Sequence, residues 1–204
     1  DLSYSTEAVI SETSQFWEEE VSGRFDELSF AFALADEDKW YYGISLNVPF
    51  YKYDNRYYYT EAGFQGDSIK GLEWFEEFSN RGAGFNFKLG GIYRPTQSFR
   101  IGASIWSPTW LSINQTYYTE IKARYWNSPD YSYAYDPQGS FDYSMRTAPQ
   151  ANVGLAWVFN KSGFISIDYG FIATKWSGSN TADLSYLKND IKQDLAHQHN
   201  VRVG

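Results

Sequence analysis

From Glu27 to Ala35 the chain alternates: Leu28, Phe30, Phe32 and Leu34 fall on one parity, and Ser29, Ala31, Ala33 and Ala35 on the other. Successive side chains of a strand point to opposite faces, so this period of two predicts a β-strand. After the polar stretch Asp36 to Lys39 the alternation resumes, with Tyr42, Ile44, Leu46, Val48 and Phe50 opposed to Tyr41, Gly43, Ser45 and Asn47. The two runs predict a hairpin closed by a tight polar turn. The design recurs twice. Phe85, Phe87 and Leu89, a turn at Arg94 to Ser98, then Phe99, Ile101, Ala103 and Ile105 form a second copy. Val153, Leu155, Trp157 and Phe159, a turn at Asn160 to Gly163, then Ile165, Ile167, Tyr169 and Phe171 form a third.

Between the hairpins run long polar segments, at 51–82, 112–140 and 173–196. Within the first, Ile69 to Phe78 has helical rather than two-residue spacing and predicts a short amphipathic helix in an outer loop. Short turns at one end and long connections at the other characterise transmembrane barrels, with tight periplasmic turns and long outer loops. A soluble sandwich turns every ~8–12 residues at both ends. The partner face of each strand points the same way, because it carries Gly, Ala, Ser and Asn rather than Lys, Glu and Thr. Small polar residues suit a crowded interior and leave Phe, Leu, Ile and Val to meet lipid. Trp40, Tyr41, Tyr42, Tyr93, Trp157 and Phe159 flank the tight turns as an interfacial belt would. The expected fold is all-β, an antiparallel transmembrane β-barrel segment spanning 1–204 as a single unit. Pro49, Pro108 and Pro149 fall in or near strands, where proline cannot donate to the ladder, so kinks or bulges are expected there.

Composition narrows the function. Of 204 residues, 20% are aromatic, while Met occurs once and Cys not at all, which excludes a Leu/Ala/Met helical bundle, a disulfide framework and a thiolate metal site. The formal net charge of −8 argues against a nucleic-acid partner. No run of 18 apolar residues predicts a transmembrane helix, an argument that does not touch strands. The chain opens at Asp1 without an initiator Met and stops at Gly204 in what reads as the start of a strand, so it is read as a piece of a longer protein, with further partial strands at about 1–10 and 197–204.

No catalytic triad, phosphate loop or paired-acid motif emerges, so no enzyme, catalytic residue or cofactor is expected. His197 and His199 share a parity and could bind a metal, but loop or strand-end histidines are the default reading, and no metal site is assigned. Glu18 to Glu20 reads as a solvated loop and Asp36 to Asp38 as a turn. Inward-facing Lys88, Arg100, Asp142, Arg146 and Asp168 could receive a carboxylate head group or neutralise one another. Trp106 and Trp110, with Tyr117, Tyr118, Tyr125 and Trp126, could line a sugar or lipid site or anchor in an interface. The candidate ligand-lining set is Lys88, Arg100, Trp106, Trp110, Arg146 and Asp168.

From Gly82 to Trp110 the strand, the Arg94-Pro95-Thr96 turn, the Phe99-Arg100-Ile101-Gly102 strand and Ser107-Pro108-Thr109-Trp110 together resemble the FadL family of outer-membrane transporters for long-chain fatty acids and other hydrophobic compounds, nearest its Bacteroidetes branch. Lys39 to Phe50, Arg146 to Pro149, Gly163 to Tyr169 and Asn200 to Gly204 extend the resemblance over most of the chain. It implies a bacterial outer-membrane location and a barrel of about 14 strands. It further implies a lumen plugged by an N-terminal hatch, with apolar substrates passing through the kinked wall. On this resemblance the hatch and the remaining strands are expected to lie outside the 204 residues. The implied partners are fatty acids or other hydrophobic small molecules, outer-membrane lipid and other envelope proteins. A secretion-associated branch of the family instead suggests a non-transporting scaffold for envelope partners. A soluble carbohydrate-binding β-sandwich is the third reading.

Overall fold

The computed structural model describes residues 13–64, 69–128, 131–159 and 162–204. Ten strands form one mostly antiparallel sheet. They are β1 (Ser14–Asp36), β2 (Trp40–Ala62), β3 (Ile69–Tyr93), β4 (Phe99–Trp106), β5 (Trp110–Tyr125), β6 (Tyr131–Arg146), β7 (Gln150–Phe159), β8 (Gly163–Ile172), β9 (Gly178–Ser179) and β10 (Gln198–Val203). β1 pairs with β2 and β2 with β3; β3 then pairs with β4 over one stretch and β5 over another. β4 pairs with β7, β5 with β6, β7 with β8, and β8 with β10. The spatial order therefore departs from the sequence order: β4 lies between β3 and β7, β5 lies between β3 and β6, and β6 also pairs with β9.

The expected hairpins are present. β1 and β2 join through Glu37, Asp38 and Lys39; Glu37 and Asp38 both adopt positive φ (48° and 55°) and Lys39 N donates to Asp36 O at 3.0 Å. That is the type I′ geometry, whose twist matches the strands it joins. β4 and β7 run in register from Phe99↔Trp157 to Trp106↔Gln150, and β8 and β10 from Ile172↔Gln198 to Ile167↔Val203. The strand expected at 197–204 is β10; the one expected at about 1–10 lies outside the described residues.

Two expected connections are strand instead. Residues 51–62 continue β2 and 69–82 belong to β3, so the helix anticipated at Ile69 to Phe78 is extended backbone. Likewise β5 and β6 occupy most of 112–140. In these stretches both parities carry aromatic and charged residues, which erases the alternation and, with Leu72 and Phe75 three apart, imitates a helical period. The connection after β8 is long and contains helix α1 (Ser185–Asp194).

The described residues form two compact units. One takes the chain up to Arg24, Lys52–Arg81 and Asn114–Phe141; the other takes Phe25–Tyr51, Gly82–Ile113 and Asp142–Gly204.

In the second unit the proline expectation holds at two of three sites. Pro108 sits in the break between β4 and β5, Pro149 in that between β6 and β7, while Pro49 lies buried inside an unbroken β2. The breaks align across the sheet: Ser107 N donates to Phe87 O, Thr147 N to Thr109 O and Ala173 N to Pro149 O, at 2.9, 3.0 and 3.0 Å. Ile105, opposite Leu89, lies on the exposed apolar face, and Trp110 stacks on Phe85 of that same face. An odd separation between two residues on one face requires an extra residue, which is a bulge at Pro108.

Burial is inverted relative to a water-soluble core. The buried hydrophobic side chains among the described residues are Leu111, Ile113 and Ala173, whereas Asn47, Asn55, Asn80, Asn86 and Ser179 are buried polar ones. Phe30, Phe32, Ile44, Leu46, Leu155, Ile165 and Ile167 are exposed. In the second unit the exposed large side chains of β2, β7 and β8 include Ile44, Leu46, Leu155, Ile165 and Ile167, all on the apolar parity.

Candidate functional site

The second unit presents a polar face built around amides. Asn47 Nδ2 donates to Asn86 Oδ1 at 2.8 Å, and Ser45 Oγ donates to Asn47 Oδ1 at 2.6 Å. Asn86 Nδ2 reaches Glu27 Oε2 and Thr109 Oγ1, both at 3.2 Å. Lys88 Nζ closes the set on Glu27 Oε1 at 3.1 Å and lies 5.3 Å from the centre of the Trp106 ring. The order follows from the pleat: Glu27, Ser45, Asn47, Asn86 and Lys88 occupy one parity of three adjacent strands. A further hydrogen bond, Thr109 N to Thr147 Oγ1 at 2.8 Å, ties this level to the breaks at the prolines.

Farther along the same face, small residues make room for polar ones. Gly154 faces Asp168 across the β7–β8 pair, and an added Cβ would overlap the Asp168 carboxylate. At Gly170 a Cβ would come within 2.8 Å of Asn152 Oδ1. Asp168 is also directly opposite Arg202 of β10, an opposite-charge cross-strand pair. A shallow cavity of about 460 Å3 runs over this floor, between Tyr41, Gly43, Gly102, Asn152, Gly154 and Asp168.

The candidate ligand-lining residues divide accordingly. Lys88 and Trp106 are together, opposite each other in the β3–β4 pair, with Lys88 engaged by Glu27. Arg100 lies opposite Ala156, exposed. Asp168 lies on the glycine floor with Arg202. Arg146 is turned to another task, its Nε donating to Trp176 O at 2.9 Å. Trp110 stacks on Phe85 at 6.2 Å, on the apolar exposed face and away from Lys88. Asn47, Asn86, Glu27 and Arg202 complete the arrangement and were not singled out from the sequence. Asn47 and Asn86 were visible there only as polar residues alternating with apolar ones.

The aromatic clusters anticipated beside the tight turns are also formed. Trp40 stacks on Tyr93 at 4.0 Å, Trp157 on Phe159 at 6.1 Å, and Arg94 Nη1 donates to Tyr41 Oη at 2.8 Å. His199 Nδ1 lies 2.6 Å from Tyr169 Oη, and both His197 and His199 pack against Phe171. Among the described residues no group of three or more His, Cys, Asp and Glu could hold a metal.

In the first unit the run Glu18 to Glu20, expected as a loop, is part of β1, and the strand splits it. Glu19 accepts from Asn55 Nδ2 at 2.8 Å on one face, while Glu20 lies 3.7 Å from Arg56 Nη1 on the other. One face holds Tyr57 between Trp17, tilted at 6.3 Å, and Trp74, edge-on at 5.8 Å, with Tyr53 against Phe78 at 5.7 Å. The other face is charged, with Arg56 Nε 3.3 Å from Glu77 and Lys52 Nζ 2.7 Å from Asp54. Thus even-numbered positions of β2 are apolar up to Phe50 and charged from Lys52 to Arg56. No family model, curated protein or solved structure matches the chain.

Proposed function

We propose that this chain is a segment of an outer-membrane β-barrel wall that passes hydrophobic compounds, fatty acids among them, by passive movement along and through the wall. The observation that carries the reading is the inverted burial of the second unit, where apolar residues stand exposed on one face and asparagines are buried on the other. Water would penalise such a face, and lipid would not. The 10-residue β7 and β8 match the ~9–11 residues with which a tilted strand crosses a hydrocarbon core. The stacked Trp40–Tyr93 and Trp157–Phe159 pairs beside the tight turns suit an interfacial belt. Pro108 and Pro149 interrupt adjacent strands at one level, where neither proline can donate to the ladder, and the reading takes sideways passage to occur at these breaks. Charges on the polar face, Lys88–Glu27 and Asp168 opposite Arg202, compensate each other and leave that face hydrated without a strong net field.

The test has two stages. The chain refolded with lipid vesicles is expected to stay with the vesicles through alkaline extraction. A monodisperse, detergent-free monomer would sink the membrane reading. Radiolabelled oleate is then expected to bind saturably to the full-length protein; its failure to do so would leave a wall without transport, the scaffold alternative.

A further inference from the structure

The geometry points to a binding site in the first unit for the phosphorylated sugar headgroup of a membrane glycolipid, with Arg81 and Lys52 as its anion-binding side chains. The inference rests on the membrane reading above and adds a lipid ligand to it.

The site is a cavity of about 500 Å3 over β1, β2, β3 and β5, within the size range of small-molecule sites. Its register is fixed by side chains. Ser79 Oγ donates to Asp54 Oδ1 at 2.5 Å, and Arg56 meets Glu77 at 3.3 Å. Stepping two residues along each antiparallel strand from the Asp54–Ser79 pair places Lys52 opposite Arg81 on the same face. Asp54 meets Lys52 at 2.7 Å, so of these two cations Arg81 is the one left without an ion pair among the described residues.

The acids around the cavity are already engaged. Glu20 and Glu77 both lie on Arg56, and Asp54 is shared by Lys52 and Ser79. Arg81 is near enough to Asp54 to act on it electrostatically, yet among the described residues it donates no hydrogen bond and makes no ion pair. Its planar fork matches phosphate bidentately. The remaining lining changes the ligand from a bare anion to a phosphosugar. Carboxylates with spare lone pairs at Glu20, Asp54 and Glu77 accept from hydroxyl groups and repel a second anion, while Ser22, Asn114 and Thr116 add neutral partners.

Position along the chain selects a membrane-borne source. Lys52 follows Phe50, the last residue of the exposed apolar series on its parity of β2, by two residues, and Arg81 precedes Phe85 by four. In a membrane wall, that is where hydrocarbon ends and headgroups begin, and basic side chains there meet anionic lipid.

The test uses the 204-residue chain refolded in detergent micelles and native mass spectrometry. The probes are a diglucosamine monophosphate glycolipid, its dephosphorylated form, phosphatidylglycerol and sodium pyrophosphate. Saturable binding of the phosphorylated glycolipid is expected, weakened about tenfold or more by Arg81→Gln or Lys52→Gln, and partly recovered in Arg81→Lys. Circular dichroism checks that each variant keeps its sheet. Equal binding by the variants, or by the dephosphorylated glycolipid, overturns the proposal. Equal affinity for pyrophosphate would make the site one for free anions, and equal affinity for phosphatidylglycerol would reduce it to surface charge; either result also overturns it. A chain that never enters vesicles sinks the membrane reading, whereas one that enters but does not discriminate among these probes sinks only this inference.

Discussion

Asn47 donates through Nδ2 to Asn86 Oδ1 at 2.8 Å, and Asn47 is fully buried, so β2 and β3 are joined by a pair of amides where a water-soluble sheet would place aliphatic side chains. Each amide has a second partner, Ser45 for one and Glu27 with Thr109 for the other. Removing one leaves the other a buried group without its partner, at ~1–3 kcal/mol. Asn47→Ala is expected to lower stability by about that amount in urea unfolding of the micelle-refolded chain. Ser45→Ala, which removes one peripheral donor, is expected to cost less, about 1 kcal/mol. Equal stability of wild type and Asn47→Ala would show that water replaces the amide freely.

Leu155 and Ile167 are opposite each other and 40% and 48% exposed. If that face meets hydrocarbon, Leu155→Arg is expected to cost about 2–4 kcal/mol in bilayers, with less at positions nearer the interfaces. On a face in contact with water the same substitution would be nearly neutral. Refolding yield and urea midpoint in vesicles distinguish the two, and a neutral result would remove the main support for the membrane reading.

Gly154 gives space to the Asp168 carboxylate. Gly154→Ala is therefore expected to destabilise by about 1–3 kcal/mol through overpacking. The loss is expected to fall when Asp168→Ala is added, because the double variant removes the clash. A double-mutant cycle reads the coupling directly, and additive effects would show that the glycine serves backbone freedom instead.

Lys88 and Arg100 should differ in any binding of a carboxylate headgroup. Lys88 already pairs with Glu27 at 3.1 Å, whereas Arg100 faces Ala156 across the strand pair. Arg100→Gln is expected to weaken oleate binding by about tenfold, the worth of one charge-assisted hydrogen bond. Lys88→Gln is expected to change it by about twofold. Titration with labelled oleate gives both values; the reverse order would place the headgroup at the Glu27 network.

The alternation at Glu27 to Phe50, Gly84 to Ile105 and Val153 to Phe171 was sufficient to find six strands and their apolar parity, because one face is apolar along each whole segment and a shift by one residue would exchange the faces. Stretches such as Lys52 to Arg56 and Leu72 to Phe78 gave no such signal. There, both parities are mixed, and only pairing with neighbours, as in Asn55 with Glu19 and Ser79 with Asp54, shows them to be strand. The candidate site divided in the same way. Lys88 and Trp106 could be assigned to one face by parity, since the pleat is local. Trp110 could not, because the bulge at Pro108 changes parity without leaving a mark in the alternation itself. Likewise Glu27 with Lys88, Asp168 opposite Arg202 and Lys52 opposite Arg81 join residues from different strands, with Glu27 and Lys88 61 positions apart. Local sequence thus determined which side of a strand each residue occupies, and the tertiary structure decided which residues became neighbours, because register depends on interstrand hydrogen bonds that no single segment contains.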